Sequence, residues 1–507
     1  MPEVAAYAWV LLPLVVAIAL DFLLLDGKSF WFDEIYSYAF VTLPRSDFWT
    51  VVSRDANMAL YDVLLRLWLT VGDSPFWIRT LSALLGVGVV ASTYVLAARL
   101  FGRRTGLSAA LLLAINPFVV AYAQEARAYT LFLLLVLYSN ILYIRAVENG
   151  RATTWVAYAV TISLAIYSHF FGALVLLAQA VALLVVFRSQ RPPTRVLVVV
   201  VLVVTILVSP LVLFVINNTT KELNWVRPPG LRSLVGIFAT MAGNKWVLVP
   251  YTAILLFGVL RATREQSSAW GRTRFRYCLF LLIWLVLPVV AAFAVSQVKP
   301  VFVDRYLIAG VPALIILGAL GLDAIRRPAQ MYTAMLIIIT LTVPLLMRYY
   351  STEKQDWRGA TRRVLAGARE GDAVLFFVPL GRNAFELYSK HERHAGPTPR
   401  IVDWPATPRH SERFTEAFGV SPPPGFLEHL TRDHPRVWLV LGHIRDSDRL
   451  FSASLEEALT SVYPAAVEWR LYDVRVLLFC AGDSRDIAAT NASPCWEFSP
   501  TPRNKAQ

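Results

Sequence analysis

Two acids stand side by side in the run Trp31-Phe32-Asp33-Glu34-Ile35-Tyr36, bracketed by aromatic residues just beyond the first apolar stretch of the chain. Adjacent carboxylates in a dry pocket suit proton abstraction from an attacking hydroxyl. A lone acidic pair more often caps a surface helix and meets only water, so Asp33 and Glu34 need support from elsewhere in the sequence. Support comes at Tyr122, Gln124, Glu125, Arg127 and Tyr129, where a tight junction joins two apolar runs. Charge is costly there, about 2.5 to 3.5 kcal/mol at a bilayer centre and less toward the interface. Tyr167-Ser168-His169 and Asp304-Arg305-Tyr306 occupy two further junctions. Four polar motifs thus converge on one face of a chain that otherwise avoids charge.

Membrane helices are what hold these motifs in place. Of the 507 residues 56% are hydrophobic and only 16% charged, with a mean hydropathy of +0.53, too apolar for a soluble enzyme of this size. Apolar runs at 7–25, 76–98, 107–122, 128–144, 153–167, 170–187, 196–216, 246–260, 277–295, 306–325 and 331–347 predict about eleven transmembrane helices. The first lacks a basic leader and a small-residue cleavage site and contains Asp21, so it reads as a retained helix. A net charge of +13 would suit nucleic acid, but the arginines gather at 99–104, 145–151, 188–195, 261–276 and 326–327, in alternate short loops. The positive-inside rule makes those loops cytoplasmic. All four polar motifs and everything after residue 347 then fall outside.

The expected organisation is a transmembrane domain over 1–348 with a long first outer loop at 26–75, and an extracytoplasmic soluble α/β domain over 349–507. Within the loop, 34–40 and 61–69 carry helical spacing and read as helices along the membrane surface. The outer loop 217–245, with Trp225, Pro228 and Pro229, is the candidate for a mobile gate. Beyond residue 348, helix-like stretches at 357–368, 383–389 and 455–461 alternate with strand-like runs at 373–378 and 437–442, and two more runs end at Cys480. No nucleotide-binding motif and no metal-ligand spacing is present. The sequence indicates no cofactor and leaves a divalent cation open. Cys480 and Cys495 share the outer domain, where they could form a bridge or stand as two free thiols, whereas Cys278 lies in an apolar span.

Several of these segments carry a family likeness. The run 32–38, Asn57-Met58-Ala59-Leu60-Tyr61 with 64–68, Gly72-Asp73-Ser74 with Arg79 and 81–86, and Tyr122 with Gln124-Glu125-Ala126-Arg127 and Tyr129 resemble bacterial protein O-mannosyltransferases and aminoarabinose transferases. These are GT-C fold glycosyltransferases of the family 39 type. The likeness continues through 167–172, Arg305-Tyr306-Leu307 and Asp356-Trp357-Arg358-Gly359-Ala360, covering roughly the first 390 residues. The chain departs from the family pattern at Met58-Ala59, where a proline pair is usual, and at Arg66, where a histidine is common.

The resemblance implies an inverting enzyme of the bacterial inner membrane that takes a hexosyl or pentosyl group from a polyprenyl-phosphate lipid and passes it to a protein, lipid or glycan hydroxyl. Asp33 matches the acid that serves as general base, with Glu34 beside it. The leaving phosphate needs cations at the headgroup level, for which Arg66, Arg127 and Arg305 are the candidates because a guanidinium offers bidentate contacts. Tyr61, Gln124, Glu125, Tyr129, His169 and Tyr306 complete the expected substrate-binding set. A transporter or lipid flippase would also carry many spans, but it predicts charge near the midplane and related halves with broken helices. A non-catalytic assembly partner is the other alternative.

Overall fold

The computed structural model describes residues 2–53, 58–217, 226–402, 425–444, 449–463 and 465–481. Every apolar run of the sequence lies in a helix or a helix pair. Among the described residues, seven helices are long and apolar enough to cross a bilayer, and an eighth crossing is made if Arg103–Ala114 and Pro117–Ala123 count as one span bent by 64°. The bend has a local cause. Asn116 accepts from the backbone of Phe118 and Val119, and Pro117 follows at the first helical position, so a new helix starts where the run 107–122 looked continuous.

The runs 7–25, 153–167 and 170–187 correspond to shorter apolar segments, Leu11–Phe22, Ala152–Ser168 and Gly172–Val185. The last has 14 residues, about 21 Å of helix against a hydrocarbon core of roughly 30 Å. A further helix, Leu231–Ala242, lies inside the stretch expected to be a gate. Residues 218–225 of that stretch, Trp225 included, lie outside the described residues.

The chain divides into two compact units. The first comprises Met1–Leu25 and Val52–Ser351. Its helices approach closely where small residues permit it. A Cβ on Gly321 would sit 2.0 Å from the Ile254 carbonyl oxygen, and one on Gly258 would sit 2.7 Å from the Gly321 Cα, so helices Lys245–Arg264 and Val311–Asp323 cross backbone to backbone.

The second unit comprises Asp26–Val51 and the chain from Thr352 onward. Its five-stranded mixed sheet runs β1 (Ala373–Phe376), β2 (Arg400–Ile401), β3 (Arg436–Gly442), β4 (Ala465–Leu471) and β5 (Val474–Cys480) in chain order. The spatial order is β2-β1-β3-β5-β4, with β1 parallel to both neighbours and β5 antiparallel to both of its own. β3 is buried along its whole length, which is why it reads as an unbroken apolar run rather than an alternating one. Helices Trp357–Gly367 and Leu380–His391 pack on this sheet. Strand β2 and helix Phe426–Asp433 carried no readable pattern. Cys480 is disulfide-bonded and Cys278 is free; Cys495, the expected partner, lies outside the described residues.

Candidate active site

Asp33 and Glu34 lie in the second unit, in the first turn of helix Phe32–Val41, where the helix dipole favours negative charge. They do not share one environment. Glu34 is buried and Asp33 only half-buried, because successive helical residues point about 100° apart and Glu34 shares the buried side of the helix with Ser37 and Val41. The adjacent acids therefore divide into one half-buried carboxylate and one enclosed.

The N-cap residue Trp31 makes no side-chain cap. The Phe32 N–H donates instead to the Gln355 side-chain oxygen at 2.8 Å, from 323 residues along the chain. The Phe32 ring stacks on His443 at 4.0 Å. The motif Asp356 to Ala360 is part of the same construction. Asp356 caps helix Trp357–Gly367 by accepting from Gly359 at 2.7 Å, and a Cβ on Gly359 would collide with that carboxylate at 2.2 Å. Trp357 lies between Gly381 and Gly442, each too close to it for a side chain. The motif thus builds a helix start against the acid-bearing segment.

The remaining candidates lie in the first unit. Tyr61, fully buried, pairs its hydroxyl with Ser82 at 2.7 Å, and Ser82 donates onward to the Arg127 carbonyl at 3.3 Å. With Ser82's proton committed to Arg127, Tyr61 is the donor of the pair. Arg127 closes a tight turn by donating from its backbone to the Glu125 carbonyl at 2.7 Å, and Glu125 is buried. Gln124 donates its amide into the carbonyls of Leu20, Asp21 and Leu23 at 3.0, 3.2 and 2.7 Å, closing the C-terminal end of the first helix. Arg66 stands half-buried in the last turn of helix Ala59–Trp68, five residues beyond Tyr61. The departure at Met58 has a backbone reason: Met58 adopts φ 63°, which a proline ring forbids.

His169 is the centre of an aromatic box. Its ring lies 5.1 Å from Phe132, 4.9 Å from Tyr306, 5.4 Å from Phe171 and 6.0 Å from Tyr129, while Arg305 sits over Tyr306 at 5.6 Å. Burial, and then the Arg127 and Arg305 cations, push the His169 pKa down to about 3. The imidazole is therefore neutral. Its Nδ1 accepts from the Phe171 N–H at 3.2 Å, which puts the proton on Nε2. That buried nitrogen has no hydrogen-bond partner among the described residues. The structure thus brings Tyr61, Arg127, Tyr129, His169, Arg305 and Tyr306 into one connected cluster, in which two guanidinium groups and a neutral N–H donor favour an anion. No group of three or more metal-ligating side chains stands together among the described residues.

Sequence reading missed Ser82, Gln355 and His443. Ser82 gave no signal inside an apolar span, and Gln355 and His443 are linked to the acids only by the fold.

With its apolar helices, its bent span and its C-terminal sheet unit, the chain is a polytopic membrane protein with the GT-C fold. Residues 59–214 match the family described as dolichyl-phosphate-mannose-protein mannosyltransferase. No curated protein sequence matches the chain. Among solved structures it is similar to ArnT from Cupriavidus metallidurans in the apo state, with TM-score 0.59 and 16% identity over 94% of this chain and 100% of that one. It is equally similar to the same protein bound to undecaprenyl phosphate, with TM-score 0.59 and 15% identity over the same shares. The family resemblance and the fold class read from the sequence are borne out.

Proposed function

We propose that this protein transfers a hexosyl or pentosyl group, with inversion, from a polyprenyl-phosphate lipid to a hydroxyl acceptor on a protein, lipid or glycan at the outer face of the bacterial inner membrane. The observation that carries the reading is the neutral His169, boxed by aromatic rings beside Arg127 and Arg305. Such a place accepts a phosphate without titrating under it, and aromatic faces suit the apolar faces of a sugar or the first units of a prenyl chain. The shared fold with ArnT, whose structure has been obtained bound to undecaprenyl phosphate, supports the same substrate class.

In this reading Asp33 takes the proton of the acceptor hydroxyl as its oxygen attacks the anomeric carbon from the side opposite the phosphate. The new C–O bond forms as the old one breaks, and the polyprenyl phosphate leaves with the bonding pair. Arg127 and Arg305 balance its charge, and the His169 Nε2–H is a third donor to its oxygens. A positioned base contributes about 10² to 10⁴ in rate; orientation of the acceptor and stabilisation of the leaving group supply the rest. Transfer of radiolabelled sugar from a polyprenyl-phosphate donor in membranes tests the class. Asp33→Asn keeps the side chain's shape and removes the basic oxygen, so it is expected to lose that same 10² to 10⁴ or so with insertion intact. Near-normal turnover in this variant would remove Asp33 from the mechanism.

A further inference from the structure

The second unit binds the segment that carries the acids through contacts spread along its length. Arg358 reaches the Asp26 carbonyl at 2.7 Å and forms an ion pair with the Asp26 carboxylate. Its backbone N–H donates to Ser29 at 3.1 Å, and its guanidinium stacks on Tyr388 at 5.1 Å. Tyr388 in turn accepts from the Phe30 N–H at 2.7 Å. Lys354 lies over the Trp31 ring at 4.4 Å. Gln355 comes next and holds the first amide of the acid-bearing helix.

Gln355 has one orientation that satisfies all of its neighbours. Its oxygen accepts from Phe32 N–H at 2.8 Å and Trp357 Nε1–H at 3.2 Å, while its nitrogen donates to the Asp473 carboxylate at 2.9 Å and to His443 Nδ1 at 3.0 Å. A flipped amide would set donors against donors and acceptors against acceptors. The network also fixes His443 as an acceptor at Nδ1, under the ring of Phe32. His443 and Asp473 both adopt φ 53°, a left-handed conformation that non-glycine residues keep only where the surroundings hold them there. The left-handed His443 and the buried Gln355 amide therefore meet at Phe32, one residue before Asp33, with Asp473 holding the nitrogen end of that amide.

We propose that Gln355, with Arg358 and His443, positions Asp33, so that the C-terminal unit is a working part of the transfer machinery and not an appended accessory. The proposal rests on the reading of Asp33 as the base. A helix start held by one remote amide and one stacked ring has its first-turn side chains aimed by those contacts. Misplacing a reacting group by about 1 Å can cost on the order of 10²-fold in rate.

The test uses the full-length protein in nanodiscs, with Gln355→Leu as the main variant and Arg358→Lys as a milder one should the first fail to fold. Amide hydrogen exchange over residues 27–41 reports the grip directly, and steady-state kinetics separate kcat from the donor KM. The expected result for Gln355→Leu is faster exchange at Phe32 by about fivefold or more, the effect of losing a helix cap, with kcat down by on the order of 10²-fold and donor KM unchanged. Arg358→Lys keeps the charge but loses the fork and should move both readouts the same way by less. Unchanged exchange in both variants, or faster exchange with full kcat, overturns the proposal. Asp33→Asn run alongside separates the two claims. A fully active Asp33→Asn removes the acid itself, whereas an inactive Asp33→Asn beside a fully active Gln355→Leu leaves the acid in place and overturns the positioning role.

Discussion

Acidification should destabilise the protein through His169, and by a calculable amount. The folded imidazole, buried and flanked by Arg127 and Arg305, protonates only near pH 3, whereas the unfolded one protonates near 6.5. Above pH 6.5 neither state carries the proton and stability is at its full value. Between 6.5 and 3 the unfolded chain binds a proton that the folded protein refuses, so stability falls with falling pH. The loss from this one residue is about 1 kcal/mol at pH 5.5 and about 3 kcal/mol at pH 4.5.

His169→Phe keeps a ring in the aromatic box and removes the titration. Thermal unfolding midpoints of wild type and variant in the same detergent, followed from pH 7.5 to 4.5, isolate the effect, because the carboxylates titrate alike in both. The wild type should lose on the order of 2 °C more than the variant by pH 5.5. Parallel pH dependences would refute a buried neutral histidine at this position, and with it the account of the anion-receptive cluster. A neutral His169 also predicts that the pH profile of transfer carries no limb from this residue at pH 5 to 8.

Gly321→Ala should destabilise the first unit by about 1 to 3 kcal/mol or more, since the added methyl meets the Ile254 carbonyl oxygen at 2.0 Å; an unchanged melting midpoint would show that the two helices can part at no cost. Alkaline phosphatase fused after Arg348 should be active, as the alternation of basic loops requires, and an inactive fusion would reverse the assigned sides. Reduction of the Cys480 disulfide should lower the melting midpoint, because a bridge to Cys495 closing a loop of about 15 residues is equivalent to ~3 kcal/mol in the chain-entropy model. Peptide mapping without reduction that recovers Cys495 as a free thiol would refute that pairing.

The class of architecture was legible in run lengths and composition. Length and apolarity are what a bilayer selects, so the runs at 196–216 and 277–295 could become little other than helices Thr194–Asn217 and Ala269–Val295. The sheet unit was legible for the same local reason: β1, β3 and β5 are short apolar runs, and helix Leu380–His391 shows its amphipathic spacing. Arg127, His169 and Arg305 could be singled out because polar groups are rare and costly beside membrane spans. Their meeting could not be read, since it depends on which helices lie side by side.

Tertiary structure alone decided that Tyr61 reaches Arg127 through Ser82 and that Asp33 and Glu34 have different exposures. It also decided that the acid-bearing segment belongs with the C-terminal sheet unit. The physical reason is range. Hydropathy and helical period act over a few turns of chain, whereas the amide of Phe32 is capped by a glutamine 323 residues away, and no local pattern in a sequence records a partner at that distance.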